Sequence, residues 1–170
     1  MSRLGKRGQE KNGSLRRKRK KRERPLNAGD INRHLVNSTT FLGTITMKSF
    51  NSIVIKLPTF SFIVLCNGHW ICVYCSKNSF EIFDTLGFLK TKGCVSEGML
   101  KFINVYLSTR NLKASHVVQS NQSVLCGYYC LYFILLRELG HSFEQIMSTF
   151  SSVLSENDKL VKSFVNKVHV

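Results

Sequence analysis

Apolar and β-branched residues fill positions 52–57 and 60–66, interrupted by Pro58-Thr59, and both runs have strand length. Asn67-Gly68 marks a turn, after which residues 70–75 and 80–84, joined around Ser76-Lys77-Asn78-Ser79, predict a β-hairpin. The period then lengthens. Ser96 opens a predicted helix to about Leu107, with Met99, Leu100, Ile103 and Leu107 on one face. Residues 115–119 predict a short strand, and an apolar helix follows from Leu125 to about Leu139, closed by Gly140. Ser142-Phe143-Glu144-Gln145 has the spacing of a capping box, and Ser155 begins a last amphipathic helix with Leu160, Phe164 and Val168 four apart. A short helix is expected over residues 28–36, and there are no repeats. This order predicts an α+β fold: a mixed central β-sheet flanked by helices, with Cys126 at the N-terminus of a buried helix.

Composition narrows the class. Of the 170 residues 43% are hydrophobic, enough for one domain with a real core, yet no apolar run approaches the roughly 20 residues of a membrane span. The basic N-terminus is followed by no apolar stretch, so a secretory signal is not expected and the six cysteines are expected to stay mostly reduced. Charge divides the chain into a basic tail, 1–25, and a folded domain, 26–170. Residues 1–24 carry twelve Lys or Arg and two Glu, a net +10 of the chain's +15. Within them Arg16, Arg17, Lys18, Arg19, Lys20, Lys21 and Arg22 run without a break. Such a block repels itself and buries nothing, so disorder is expected, with nuclear import, nucleic-acid binding or both as its work.

The candidate chemistry lies in the segment Val117–Cys130, read as strand, polar loop and helix start. A thiol at that start feels the positive end of the helix dipole, which favours the thiolate. Cysteine hydrolysis needs a base, an orienting group and oxyanion donors besides the nucleophile. His69, in Asn67-Gly68-His69-Trp70, is the candidate base, and Asp84, in Phe83-Asp84-Thr85-Leu86, the candidate orienting carboxylate. An antiparallel hairpin sets the start of one strand beside the end of the next, so these two residues, fifteen apart, are expected to meet. The Cys126 amide and an upstream side-chain amide are the oxyanion candidates.

The same residues carry a resemblance to the adenovirus-type cysteine endopeptidases, the adenains, and to those of related Polinton or adintovirus-like elements. Phe41-Leu42-Gly43-Thr44, Gly68-His69-Trp70, Phe83-Asp84-Thr85-Leu86-Gly87-Phe88 and Cys126-Gly127-Tyr128-Tyr129-Cys130 resemble four motifs of that family in order. Gln119, seven residues before Cys126, corresponds to its oxyanion glutamine. Asp84 stands where adenains usually have Glu, and no cysteine occurs from Phe102 to Val118, where adenains tether a peptide activator.

The resemblance implies an adenain/Ulp1-like cysteine protease fold and a catalytic set of His69, Asp84, Gln119 and Cys126. It further implies cleavage of capsid or core precursors near small residues during virion maturation, in the host nucleus and the virion. No cofactor is required; DNA held by the tail is a hypothetical stimulator, no membrane is involved, and a monomer is expected. Two rival readings are a protease that deconjugates ubiquitin-like proteins and a DNA-binding packaging protein with an inactive protease fold. Related ubiquitin-like-protein proteases place glutamine six residues before cysteine, the position of Ser120 here, and Gln122 is read as a loop residue. Cys130 is read as core, and Trp70 as a shield over the catalytic pair or plain core. A zinc site at Cys66, His69, Cys72 and Cys75 is disfavoured, because strand residues three apart point to opposite faces.

Overall fold

A computed structural model describes residues 24–51, 53–88 and 96–168. The basic tail, with its seven contiguous cations at 16–22, lies outside the described residues, so the expectations placed on it are not addressed by the fold.

Five strands form one mixed sheet in the order β1-β2-β3-β4-β5, where β1 is Phe41–Thr46, β2 Phe60–Cys66, β3 His69–Cys75, β4 Ser79–Phe83 and β5 Asn111–Ala114. The three central strands form an antiparallel meander, and the two outer strands add in parallel. Cys66 pairs with His69, which leaves Asn67 and Gly68 as the whole loop. Both have positive φ, 49° and 80°, as a type I′ turn demands, and Asn-Gly is the pair that tolerates it. This turn makes His69 the first residue of β3.

Helices cover both faces. Helix α2, Glu97–Leu107, capped by Ser96, packs with a 3-10 turn at Met47–Asn51 on one face. The other face carries α1 (Ala28–His34), α3 (Cys126–Glu138), α4 (Phe143–Met147) and α5 (Leu154–Val168). With helices on both sides, β3 is buried throughout beyond His69, and its residues alternate between two cores. Trp70, Cys72 and Tyr74 join the α3 core, while Ile71, Val73 and Cys75 join the α2 core. Cys72 and Cys75 thus face opposite sides, and both are free thiols. Cys66, by contrast, is disulfide-bonded, while Cys126 and Cys130 are free like Cys72 and Cys75.

Several sequence expectations are corrected. No strand spans the described residues 53–57; Ile53 and Ile55 pack against the α2 core instead, and the Ile55 carbonyl accepts from the Tyr106 hydroxyl at 2.8 Å rather than from a ladder. Strand β1 has no counterpart in the sequence pattern, because it carries two threonines and a glycine and is only partly buried. The strand expected over 115–119 lies earlier, at 111–114. Val118, though apolar, sits in a loop whose amide donates to the Thr85 carbonyl at 2.9 Å. On α2 the buried seam is Met99, Phe102, Ile103 and Tyr106, and Leu100 is exposed. On α5 it is Asn157, Val161 and Val165, and Val168 is exposed.

Candidate active site

The hairpin does for His69 and Asp84 what strand geometry dictates. With Cys72 paired to Phe83, the start of β3 lies beside the end of β4, and His69 Nε2 comes to 2.9 Å from Asp84 Oδ1. Asp84 is fully buried. Its Oδ1 also accepts from the Leu86 amide at 3.0 Å, and Ser115 brackets its backbone by donating to the Asp84 carbonyl while accepting from the Asp84 amide. The carboxylate is therefore anchored before it meets the imidazole.

Cys126 arrives from the other side as the first residue of α3. First-turn amides have no acceptor within their own helix, so the Cys126 N–H faces outward with the positive end of the macrodipole. Gly127 lets the N-terminal segment lie close: a Cβ there would stand 3.0 Å from Leu26 Cβ. The Leu26 carbonyl in turn accepts the Trp70 indole N–H at 2.8 Å, so Trp70, largely buried, ties the chain's entry to the start of β3.

Cys126 lies near enough to the His69 imidazole to act on it electrostatically. Since Nε2 faces Asp84, the other ring nitrogen, Nδ1, is the one left for sulfur. Burial works against protonating this ring, but its interactions with Asp84 and Cys126 outweigh it and raise the His69 pKa from 6.5 to about 9. Both neighbours thus favour the cationic form of the ring. Cys126 is only 6% exposed and the His69 side chain 13%, so the pair lies under a thin cover with access to solvent.

Cys130, one turn further along α3, has no exposed surface. Its thiol donates to the Trp70 carbonyl at 3.6 Å, and burial pushes its pKa well up, as befits a core residue.

Gln119 is buried at 2% exposure, with its Oε1 accepting from the Thr85 hydroxyl at 2.5 Å and its Nε2 donating to the Ser123 carbonyl at 3.0 Å. Gln122, its rival for the oxyanion role, is exposed, and its amide donates to Ser120 Oγ. Sequence reasoning missed Thr85, Ser115, Ser123 and Asp158. Thr85 and Ser115 flank or brace Asp84, but no spacing rule marks a hydroxyl as a brace.

A cavity of about 580 Å³ lies elsewhere, between α2 and a segment that includes Phe50 and Ile55, and is lined also by Phe102, Val105 and Tyr106. Its described lining includes the cations Lys101 and Arg110 but no thiol, histidine or carboxylate. No group of His, Cys, Asp and Glu suited to hold a metal occurs among the described residues.

No family model matches this chain, and no curated protein does. Among solved structures the chain is similar to the central domain of the uncharacterized Lpg1148 protein from Legionella pneumophila, with a TM-score of 0.54 and 14% sequence identity. The alignment covers 85% of this chain and 96% of that one. At such identity the likeness is one of fold. Among the described residues no helix is long and apolar enough to cross a membrane.

Proposed function

We propose that the protein is a cysteine endopeptidase of the adenain type, from a virus or virus-like element, that cleaves virion precursor proteins during maturation. The observation that carries this reading is the His69–Asp84 hydrogen bond, with a buried carboxylate behind the imidazole and Cys126, at a helix N-terminus, within electrostatic reach of the same ring. Core cysteines are common, but a core cysteine has no use for a neighbouring histidine oriented by a buried aspartate.

In this mechanism His69 takes the thiol proton of Cys126, and the imidazolium–thiolate pair awaits a peptide carbonyl. Sulfur attacks the carbonyl carbon, and its oxygen acquires the charge, which the Cys126 amide and Gln119 Nε2 stabilise. His69 then donates its proton to the leaving amine, so the C–N bond breaks and a thioester remains. Water, deprotonated by the same imidazole, hydrolyses the thioester and frees the thiol. Asp84 keeps the ring oriented and favours its cationic form throughout. Nucleophile, base and oxyanion donors are all protein groups, so the chemistry requires no cofactor.

The seven-residue spacing of Gln119 from Cys126 favours an adenain-type substrate over a ubiquitin-like-protein conjugate. Labelling with a thiol-directed peptide electrophile tests the reading: the full chain is modified at Cys126, and Cys126→Ala is not. Absence of labelling in the unaltered chain would leave the packaging-protein reading in its place. Cleavage of a SUMO- or ubiquitin-type C-terminus, with viral precursor junctions left intact, would move the assignment to deconjugation.

A further inference from the structure

A buried glutamine amide can sit two ways round, related by a half-turn about its last bond, and only one presents the NH₂ group to a substrate. In this protein both ends of the Gln119 amide are engaged. The Thr85 hydroxyl donates to Oε1 at 2.5 Å, and Nε2 donates to the Ser123 carbonyl at 3.0 Å. A carbonyl only accepts, so the reversed amide would set two acceptors against each other at Ser123 and cost a buried hydrogen bond. Nε2 carries two hydrogens, and the Ser123 contact uses one. The second remains for an oxyanion.

The residues holding this clamp are themselves fixed. Thr85 is fully buried, directly follows Asp84, and its own carbonyl accepts from the amides of Val118 and Gln119 at 2.9 and 3.1 Å. On the opposite side, Ser123 Oγ and the Tyr129 hydroxyl both donate to Asp158 Oδ1 at 2.9 Å. Asn157 Nδ2 donates to the Val118 carbonyl at 2.9 Å. The loop before Cys126 thus hangs between the end of β4 and the first turns of α5.

We infer that Thr85 is a positioning residue, whose hydroxyl, working with the Ser123 carbonyl that Asp158 steadies, holds the Gln119 amide with one Nε2 hydrogen directed to the oxyanion. This rests on the proteolytic reading above. It makes one dipeptide at the end of β4 serve both halves of the reaction: Asp84 orients the base, and Thr85 orients the oxyanion donor.

The test compares Thr85→Val with Thr85→Ser in the full chain, by hydrolysis of a set of fluorogenic peptide amides with glycine at the cleaved bond. It also measures alkylation of Cys126 by iodoacetamide, which forms no oxyanion. Thr85→Val is expected to lower kcat about tenfold, the worth of one hydrogen bond of about 1.4 kcal/mol, with KM and the alkylation rate unchanged. Thr85→Ser restores most of kcat. Asp158→Asn, at the far end of the clamp, gives a smaller loss of the same kind, and Thr85→Ala substitutes should the valine variant not fold. A valine variant with unaltered kcat, or with alkylation slowed as much as hydrolysis, overturns the inference while leaving the protease reading intact. An unaltered chain that hydrolyses none of the peptides overturns both.

Discussion

The two ends of this molecule's chemistry sit on one sheet and differ in kind. Under α2 the core is aromatic: Phe102 lies edge-on or tilted to Phe50, Phe60, Phe62 and Phe80, with centroids 5.4–6.5 Å apart, and to Tyr106 at 4.8 Å. Where α3 begins, the interior is polar instead, with Asp84, Thr85, Ser115, Gln119 and Asn157 all buried. Apolar packing is non-directional and tolerates small displacements. A buried polar group costs free energy unless its partner stands at the right distance and angle. The comparison teaches that the α2 side holds the sheet together, while the α3 end gives up stability to hold groups in fixed orientations.

That contrast can be broken from either side. The largest effect is expected from Cys126→Ala, which removes the nucleophile and should lower peptide hydrolysis by about six orders of magnitude, leaving the melting temperature near that of the parent. A comparable residual rate would end the protease reading. On the aromatic side, Phe102→Ala should cost about 3–5 kcal/mol in denaturant unfolding. The turnover of its folded fraction should stay unchanged, since Phe102 belongs to the α2 core. If turnover falls along with stability, the two regions are not separable as described. Gln119→Ala should lower kcat by about 10²–10³ with little change in KM, as loss of one oxyanion donor does elsewhere.

Proton linkage sharpens the comparison further. The His69 pKa lies near 9 in the folded protein, above its ordinary 6.5. Its contacts with Asp84 and Cys126 therefore contribute stability that is fully present below about pH 6.5 and is lost as pH rises through about 9. Hydrolysis should fall along the same alkaline limb, because the leaving amine needs the imidazolium proton. Asp84→Asn removes the charge that favours the cation, so that limb should move to lower pH, read from a kcat profile between pH 6 and 10. A limb that stays in place would mean Asp84 does not set the imidazole's charge. The smallest effect belongs to the surface. Lys101→Gln, which breaks the exposed i,i+4 pair with Glu97, should change stability by no more than about 0.5 kcal/mol and leave turnover alone.

The sheet holds a further buried polar element. Glu81 of β4 and Arg137 of α3 approach to 2.9 Å as an ion pair without hydrogen-bond alignment between those two atoms. The Arg137 guanidinium also lies over the Tyr74 ring at 4.6 Å. Burial raises the Glu81 pKa, and the Ser79 hydroxyl and Arg137 oppose that rise. This pair joins sheet to helix beside the α3 core.

Where sequence reading went astray, the cause was local. On α5, Leu160 and Phe164 pack against the core as the hydropathy seam expects, but Val168 is exposed and Asn157 is buried in the seam. Its side chain binds the Val118 and Ser151 carbonyls and the Ser151 amide, and no apolarity scale ranks an asparagine as core. On α2, Phe102 and Tyr106 join the seam because their rings meet those of Phe60 and Phe80; Leu107 still packs against this core, and Leu100 is exposed. The outer strands β1 and β5, half-exposed and partly polar, carry little alternation, which leaves β1 without a sequence signal and β5 with a displaced one.

What the chain order determined by itself was everything reached over short distances. Asn67-Gly68 dictates a tight turn, strand pairing then carries His69 to Asp84 fifteen residues away, and an apolar run after a polar loop begins a helix at Cys126. The tertiary structure alone decided that the helix start meets the hairpin. It also decided that a threonine at 85 and a carboxylate at 158 brace the loop between them. The reason is physical: local geometry follows from backbone dihedrals and side-chain period, whereas the meeting of distant polar groups depends on how whole layers pack, and no stretch of sequence records that alone.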